Sequence, residues 1–183
     1  MEAARIKGIN LSTERLELRR FREGDEVDIF EGYTGDESSS LYLQRPRHAT
    51  VDHTHHVLKT WCDSKWEDES PQFAWILACK ETGKAIGMFF VFSGGHACEI
   101  HYGIGKSMRG KGLVAEAGRA IVDYLLTYPF IQRIWTVCDV ENQASKRVLE
   151  KLDFECEGIL KSWLMMPAFG DKARDCYCFS RTR

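Results

Sequence analysis

The chain has 183 residues, with 27 acidic against 25 basic side chains and a net charge of −2. A makeup of 44% hydrophobic and 28% charged residues is that of a globular protein with a full core, which excludes disorder, collagen-like repeats and miniature disulfide scaffolds. No run of about 18 apolar residues occurs, so no membrane span is expected, and the opening MEAARIKGINLSTERL lacks the apolar stretch of a signal peptide. The balanced charge argues against a nucleic-acid partner. Seven cysteines (Cys62, Cys79, Cys98, Cys138, Cys156, Cys176 and Cys178) contain no CxxC pair and read as reduced thiols in a cytoplasmic protein.

In chain order, residues 1–12 read as an N-terminal extension of a single domain spanning 1–183. Arg15–Phe21 places Leu16 and Leu18 on one face, a half-exposed strand. Gly24 and Asp25 open a short helix carrying Val27, Ile29, Phe30 and Tyr33. Thr34–Ser40 reads as a polar loop. Thr50 is placed to cap a second helix with Val51, Thr54, Leu58 and Trp61 on one face, and Asp63–Ser70 reads as a surface connection. Three β-type runs follow, Gln72–Cys79, Lys84–Phe92 and Ala97–Ile104, joined by Glu-Thr-Gly and Ser-Gly-Gly turns as an antiparallel meander. Helix Leu113–Tyr128, strand Arg133–Val140 and helix Gln143–Leu152 come next, then extended runs near Glu157–Met165 and Asp175–Arg181. The order is β-α-α-β-β-β-α-β-α-β-β, a mixed α/β fold.

The stretch Gly103-Ile-Gly-Lys-Ser-Met-Arg-Gly-Lys-Gly112 lies between a strand and an amphipathic helix. Gly110 and Gly112 let backbone N–H groups turn toward a ligand, and the helix from Leu113 adds its unpaired N–H groups and positive dipole end. From Gly105 to Arg119, Lys106, Arg109, Lys111 and Arg119 outweigh Glu116, a local excess of positive charge in an acidic chain. This is an anion site suited to phosphate. A P-loop reading puts Ile100 where its first glycine belongs. A dinucleotide reading is met by Gly110, Gly112 and Ala115, with Asp139 further on, and implies an oxidoreductase; its parallel βαβ setting conflicts with the meander. A catalytically silent acyl-CoA-binding regulator is a third reading of the loop.

Arg109-Gly-Lys-Gly112-Leu-Val114 also resembles the acetyl-CoA loop [QR]-x-x-G-x-[GA] of the GNAT acetyltransferases, with valine at the last place. Val137-Cys-Asp-Val-Glu-Asn142-Gln-Ala-Ser145-Lys-Arg-Val-Leu-Glu-Lys-Leu-Asp-Phe154 resembles a block of the branch that includes the ribosomal-protein N-terminal acetyltransferases. The likeness extends to Thr13–Arg19, to Trp75, Gly83, Ile86 and Gly87 in the meander, and to Pro167, Arg174, Asp175 and Tyr177 near the end. It implies a mostly antiparallel central sheet with splayed central strands flanked by helices. It also implies an N-acetyltransferase moving the acetyl group of acetyl-CoA to a primary amine, a protein N-terminus or a small molecule, and a monomer or homodimer.

By this resemblance Gly103, Ile104 and Gly105 lie where the pantetheine arm adds to a strand edge, the two glycines permitting close approach. Arg109, Gly110, Lys111, Gly112, Leu113, Val114 and Ala115 would hold the pyrophosphate. Asn142 would cap its helix and bond the pantetheine, and Ser145 would protonate the departing thiolate. The family's glutamate base falls on Leu164 here, so Glu99 and His101, sharing one strand face, are the candidate bases. Asp175 reads as half of an Arg–Asp pair, and Asp153 as a left-handed turn residue. His53, His55 and His56 read as a solvated helix face, and no metal is expected.

Overall fold

The computed structural model describes residues 6–67 and 70–183. Strands form where the sequence alternates or runs apolar: β1 (Leu11–Ser12), β2 (Leu16–Arg19), β3 (Gln72–Cys79), β4 (Ala85–Gly94), β5 (Ala97–Ile104), β6 (Arg133–Asp139), β7 (Glu155–Leu164) and β8 (Arg174–Thr182). They make one sheet in the order β1-β2-β3-β4-β5-β6-β8-β7. All neighbours pair antiparallel except β5 with β6, so the expected mixed, mostly antiparallel architecture is present. The parallel βαβ series that a dinucleotide fingerprint requires is not found among the described residues.

Among the described residues, six α-helices cover the sheet: α1 (Asp25–Ile29), α2 (Glu37–Ser40), α3 (Val51–Lys59), α4 (Lys65–Glu67), α5 (Leu113–Leu126) and α6 (Gln143–Lys151). On one face Ile29, Tyr33, Leu58 and Cys62 pack against Ala74, Ile76 and Met88. On the other, Ala117, Ile121, Leu125 and Leu149 pack against Phe73, Trp75, Phe89 and Ile100. The i, i+4 stripe Leu113, Ala117, Ile121 and Leu125 commits α5 to that core. No helix among the described residues is long and apolar enough to cross a membrane.

Several expectations are revised locally. Thr34–Ser40 is not all loop: the Asp36 carboxylate accepts from Ser39 N (2.8 Å) and caps α2. The connection over 63–70 contains α4, and residues 68 and 69 lie outside the described residues. Residues 6–12 belong to the body, because Ile6 is buried, Trp75 Nε1 donates to Ile9 O (2.7 Å) and β1 pairs with β2; residues 1–5 lie outside the described residues. Asp175 accepts from Lys161 Nζ (2.7 Å) rather than from an arginine, and Arg174 turns instead to Asp139 (2.5 and 2.9 Å). Thr50 does cap α3, accepting from His53 N (3.2 Å), and Asp153 takes a left-handed φ of 61°.

The site is positioned by the parallel pair. β5 and β6 are in register only at Ala97↔Arg133, Cys98↔Ile134 and Glu99↔Trp135. Beyond those three pairs β5 stays with β4 and β6 stays with β8, so the two strands part.

Candidate active site

Where β5 and β6 separate, a cavity of about 720 Å³ passes through the sheet. That is the size range of small-molecule sites. Gly105 N donates to Ile86 O of β4 (2.9 Å), so alternation along β5 turns the N–H and C=O groups of Tyr102 and Ile104 away from β4 and into the gap. A strand edge at Tyr102 and Ile104, away from β4, therefore lines the cavity.

The glycines of that edge meet a steric demand from the α1 side of the sheet. A Cβ on Gly103 would stand 1.8 Å from Tyr33 Oη, and one on Gly105 would stand 2.6 Å from Gly32 O. After α1 the chain makes a wide π-helical turn, Phe30–Thr34, closed by Gly35 N donating to Phe30 O (2.9 Å). That turn lies directly on β5, and the two glycines make room for it; Gly103 also lines the cavity, whereas Gly105 does not.

Beyond β5 the loop reaches α5 with Gly110 at φ 75° and Gly112 at φ 77°, both in the left-handed region that other residues enter at a cost. Gly112 is the N-cap position, and no side chain caps α5. Its first N–H groups are thus left to a ligand. Arg109, Gly110, Gly112, Leu113, Val114 and Ala115 line the cavity; Lys111 does not, and its ammonium lies 3.7 Å from Met108 Sδ. Val114, the departure from the family loop, is buried against the core and still reaches the cavity wall. The positive island is narrower than the sequence suggested. Arg119 turns along α5 to Asp153 (3.4 Å), and Glu116 is held by Thr13 Oγ1 (2.6 Å) and Arg15 Nε (2.7 Å). Arg147 and Lys151 of α6 replace that charge on the wall, a contribution that loop spacing alone does not reveal.

Asn142 caps α6, its Oδ1 accepting from Ser145 N (3.1 Å). Behind it, Arg174 holds both oxygens of Asp139, and Asp139 Oδ1 also accepts from Glu141 N (2.8 Å), which fixes the turn into α6. Ser145 Oγ then lies 2.9 Å from Tyr102 Oη. Burial pushes the Tyr102 phenol up, so it keeps its proton at neutral pH. Tyr102 is the residue that sequence reasoning missed: on an alternating strand it reads as a core aromatic.

Tyr102 and His101 are consecutive in β5, so they face opposite sides of the sheet. On the α1/α3 side His101 Nε2 lies 2.7 Å from Glu99 Oε1, joining the two candidate bases into one pair. His101 lines the cavity; Glu99 stands behind it, outside the lining. Phe92 meets the His101 ring edge-on at 5.5 Å. Leu164, where the family places a carboxylate, is also part of the wall. Away from the cavity, Glu23, Glu26 and His55 offer ligand atoms within 4.8 Å of one another near α1.

The fold and this cavity define an acyl-transfer class of protein. Residues 15–155 match the acetyltransferase (GNAT) domain family, and the chain belongs to it. It is 29% identical over 156 residues to the protein described as "Uncharacterized N-acetyltransferase p20" of Bacillus licheniformis, spanning 84% of this chain and 86% of that one. It is 25% identical over 170 residues to the [ribosomal protein uS5]-alanine N-acetyltransferase of Escherichia coli (strain K12), spanning 88% and 86%. The solved structure of RimL, the ribosomal L7/L12 alpha-N-protein acetyltransferase in complex with coenzyme A, superposes with a TM-score of 0.80 at 18% identity, covering 95% of this chain and 98% of that one. The chain is an N-acetyltransferase of the branch that resembles the ribosomal-protein enzymes.

Proposed function

We propose that the protein transfers the acetyl group of acetyl-CoA to a primary amine, a protein N-terminus or a small molecule, by direct attack within a ternary complex in one catalytic domain. The observation that carries this reading is the placement of two proton-handling pairs on opposite faces of β5 around one cavity. Ser145–Tyr102 lies on the α5/α6 side and Glu99–His101 on the other. The residues present fit the cosubstrate. The left-handed Gly110 and Gly112 and the uncapped start of α5 suit its pyrophosphate, and Arg109, Arg147 and Lys151 suit its phosphate charge. The free edge at Tyr102 and Ile104 suits a pantetheine arm added as a strand.

The chemistry then divides between the faces. His101, oriented by Glu99, takes a proton from the incoming ammonium, directly or through water. The amine nitrogen bonds to the thioester carbon, and backbone N–H groups of the parted strand face the developing oxyanion. The C–S bond breaks, the thiolate receives a proton from Ser145, Tyr102 passes its own proton to Ser145, and the second proton shed by the new amide nitrogen returns to Tyr102 through solvent. Cys138 also lines the cavity, but burial pushes its thiol up to about 12, so it is not a thiolate at neutral pH and an acyl-cysteine step is disfavoured.

The test is free-thiol release from acetyl-CoA across an amine panel, with wild type and Ser145→Ala. Turnover that falls about 10²-fold or more in the variant, with acetyl-CoA affinity retained, supports the reading. Firm acetyl-CoA binding without turnover of any amine would favour the silent regulator.

A further inference from the structure

The α1/α3 half of the cavity carries polar groups that the transfer chemistry above does not use. Arg45 is half-buried on that wall, its guanidinium 5.8 Å from the centre of the Tyr33 ring. Its remaining contact is Pro46 O (3.0 Å), and no carboxylate pairs with it among the described residues. Asp139 is the one carboxylate among the described lining residues, and Arg174 occupies both its oxygens, so none that is free faces Arg45.

A second observation comes from His48, 1% exposed and also on the cavity wall. Thr34 Oγ1 donates to Ile29 O (3.3 Å), which leaves the Thr54 hydroxyl to donate to Thr34 (2.8 Å) and His48 Nδ1–H to donate to Thr54 (2.8 Å). This direction of the chain satisfies every donor. It leaves Nε2 as a bare lone pair, and that atom is buried with no partner. A buried acceptor left unmet costs about 1–3 kcal/mol, which marks this wall as polar and incompletely paired.

We propose that the acceptor is an amine that also carries an anionic group, a carboxylate or a phosphate, seated on Arg45. This rests on the transfer reading of the same cavity and narrows it. Polyamines and other polycations are excluded as acceptors, because a second ammonium finds no free carboxylate on the wall.

The test uses binding, so that it does not depend on turnover. N-acetyl-L-tyrosine is compared with N-acetyltyramine, and N-acetyl-O-phosphoethanolamine with N-acetylethanolamine, by calorimetry on the protein saturated with CoA. The anionic member of one pair is expected to bind at least about tenfold more tightly, as a charge-assisted hydrogen bond predicts. The pair that responds identifies carboxylate or phosphate as the group recognised. Arg45→Gln should bring that ratio to near unity with CoA affinity intact, and Arg45→Lys should restore part of it. Equal or weaker binding of both anionic probes, failure of every probe to bind, or a ratio that survives Arg45→Gln overturns the proposal. Thiol release is measured in parallel. An anion preference without turnover of any amine defeats the transfer reading and leaves the anion site standing; turnover without preference does the reverse.

Discussion

His48 gives the sharpest test of the acceptor-side wall. Burial, with Arg45 and His53 beside it, lowers its pKa from 6.5 to about 4. The folded state therefore prefers the neutral ring, whereas the unfolded chain takes up a proton near pH 6.5. Stability from this group is complete above the unfolded value and is lost as the pH falls through 6.5 toward 4, since the unfolded state binds more protons throughout that window. Between pH 7 and pH 5 the loss is about 2 kcal/mol. Urea unfolding should shift its midpoint down by about 1 M over that interval. His48→Asn keeps a donor toward Thr54 and removes the titration. The variant should start less stable at pH 7, from the lost ring volume, yet change less between pH 7 and pH 5 by that same amount. If wild type and variant lose equal stability over the interval, His48 is not held neutral and the tautomer assigned to it is wrong.

Gly112→Glu places a carboxylate and a strained left-handed residue where the phosphates would sit; it should weaken acetyl-CoA binding at least about 10²-fold by calorimetry with the circular dichroism spectrum unchanged. Tyr102→Phe should lower kcat by about 10-fold or more with the KM for acetyl-CoA little changed, and adding it to Ser145→Ala should cost little further, because the two hydroxyls act as one unit. Gly103→Ala forces a methyl group to 1.8 Å from Tyr33 Oη; it should destabilise by about 1–3 kcal/mol, read as a lower Tm, and an unchanged Tm would mean that the π turn does not rest on β5.

Much of the fold was legible because its signals are local. The meander turns, the i, i+4 stripe of α5 and the caps at Thr50 and Asn142 are each written within a few residues. The glycine-rich loop and the α6 cap were legible for the same reason: residues 103–115 and 142–145 are two short runs that carry their own backbone geometry. What escaped was non-local. Tyr102 meets Ser145 across 43 positions, and the Gly103 clash partner sits on a turn 70 residues earlier. Arg45 and His48 lie in a polar stretch with no periodicity, and their importance depends on which groups do not pair with them. The Arg119 charge was counted at the loop although the helix carries it to Asp153.

One topological event accounts for the placement of nearly all these groups. A parallel pair inside an otherwise antiparallel sheet requires a crossover, and here α5 supplies it between β5 and β6. The crossover brings a helix N-terminus to the end of β5, and the short three-pair ladder leaves the β5 edge bare beside it. Strand alternation then fixes the chemistry. His101 and Tyr102 must face opposite sides, so the two proton-bearing groups of the proposed reaction come from two adjacent residues. A one-residue slip of β5 would carry Glu99 and His101 together toward Ser145 and turn Tyr102 to the α1/α3 side. The glycine contacts at 103 and 105 oppose such a slip, since Tyr33 and Gly32 accept no side chain at either position. Gly103 and Gly105 therefore help to hold the register that keeps His101 and Tyr102 on opposite faces of the sheet.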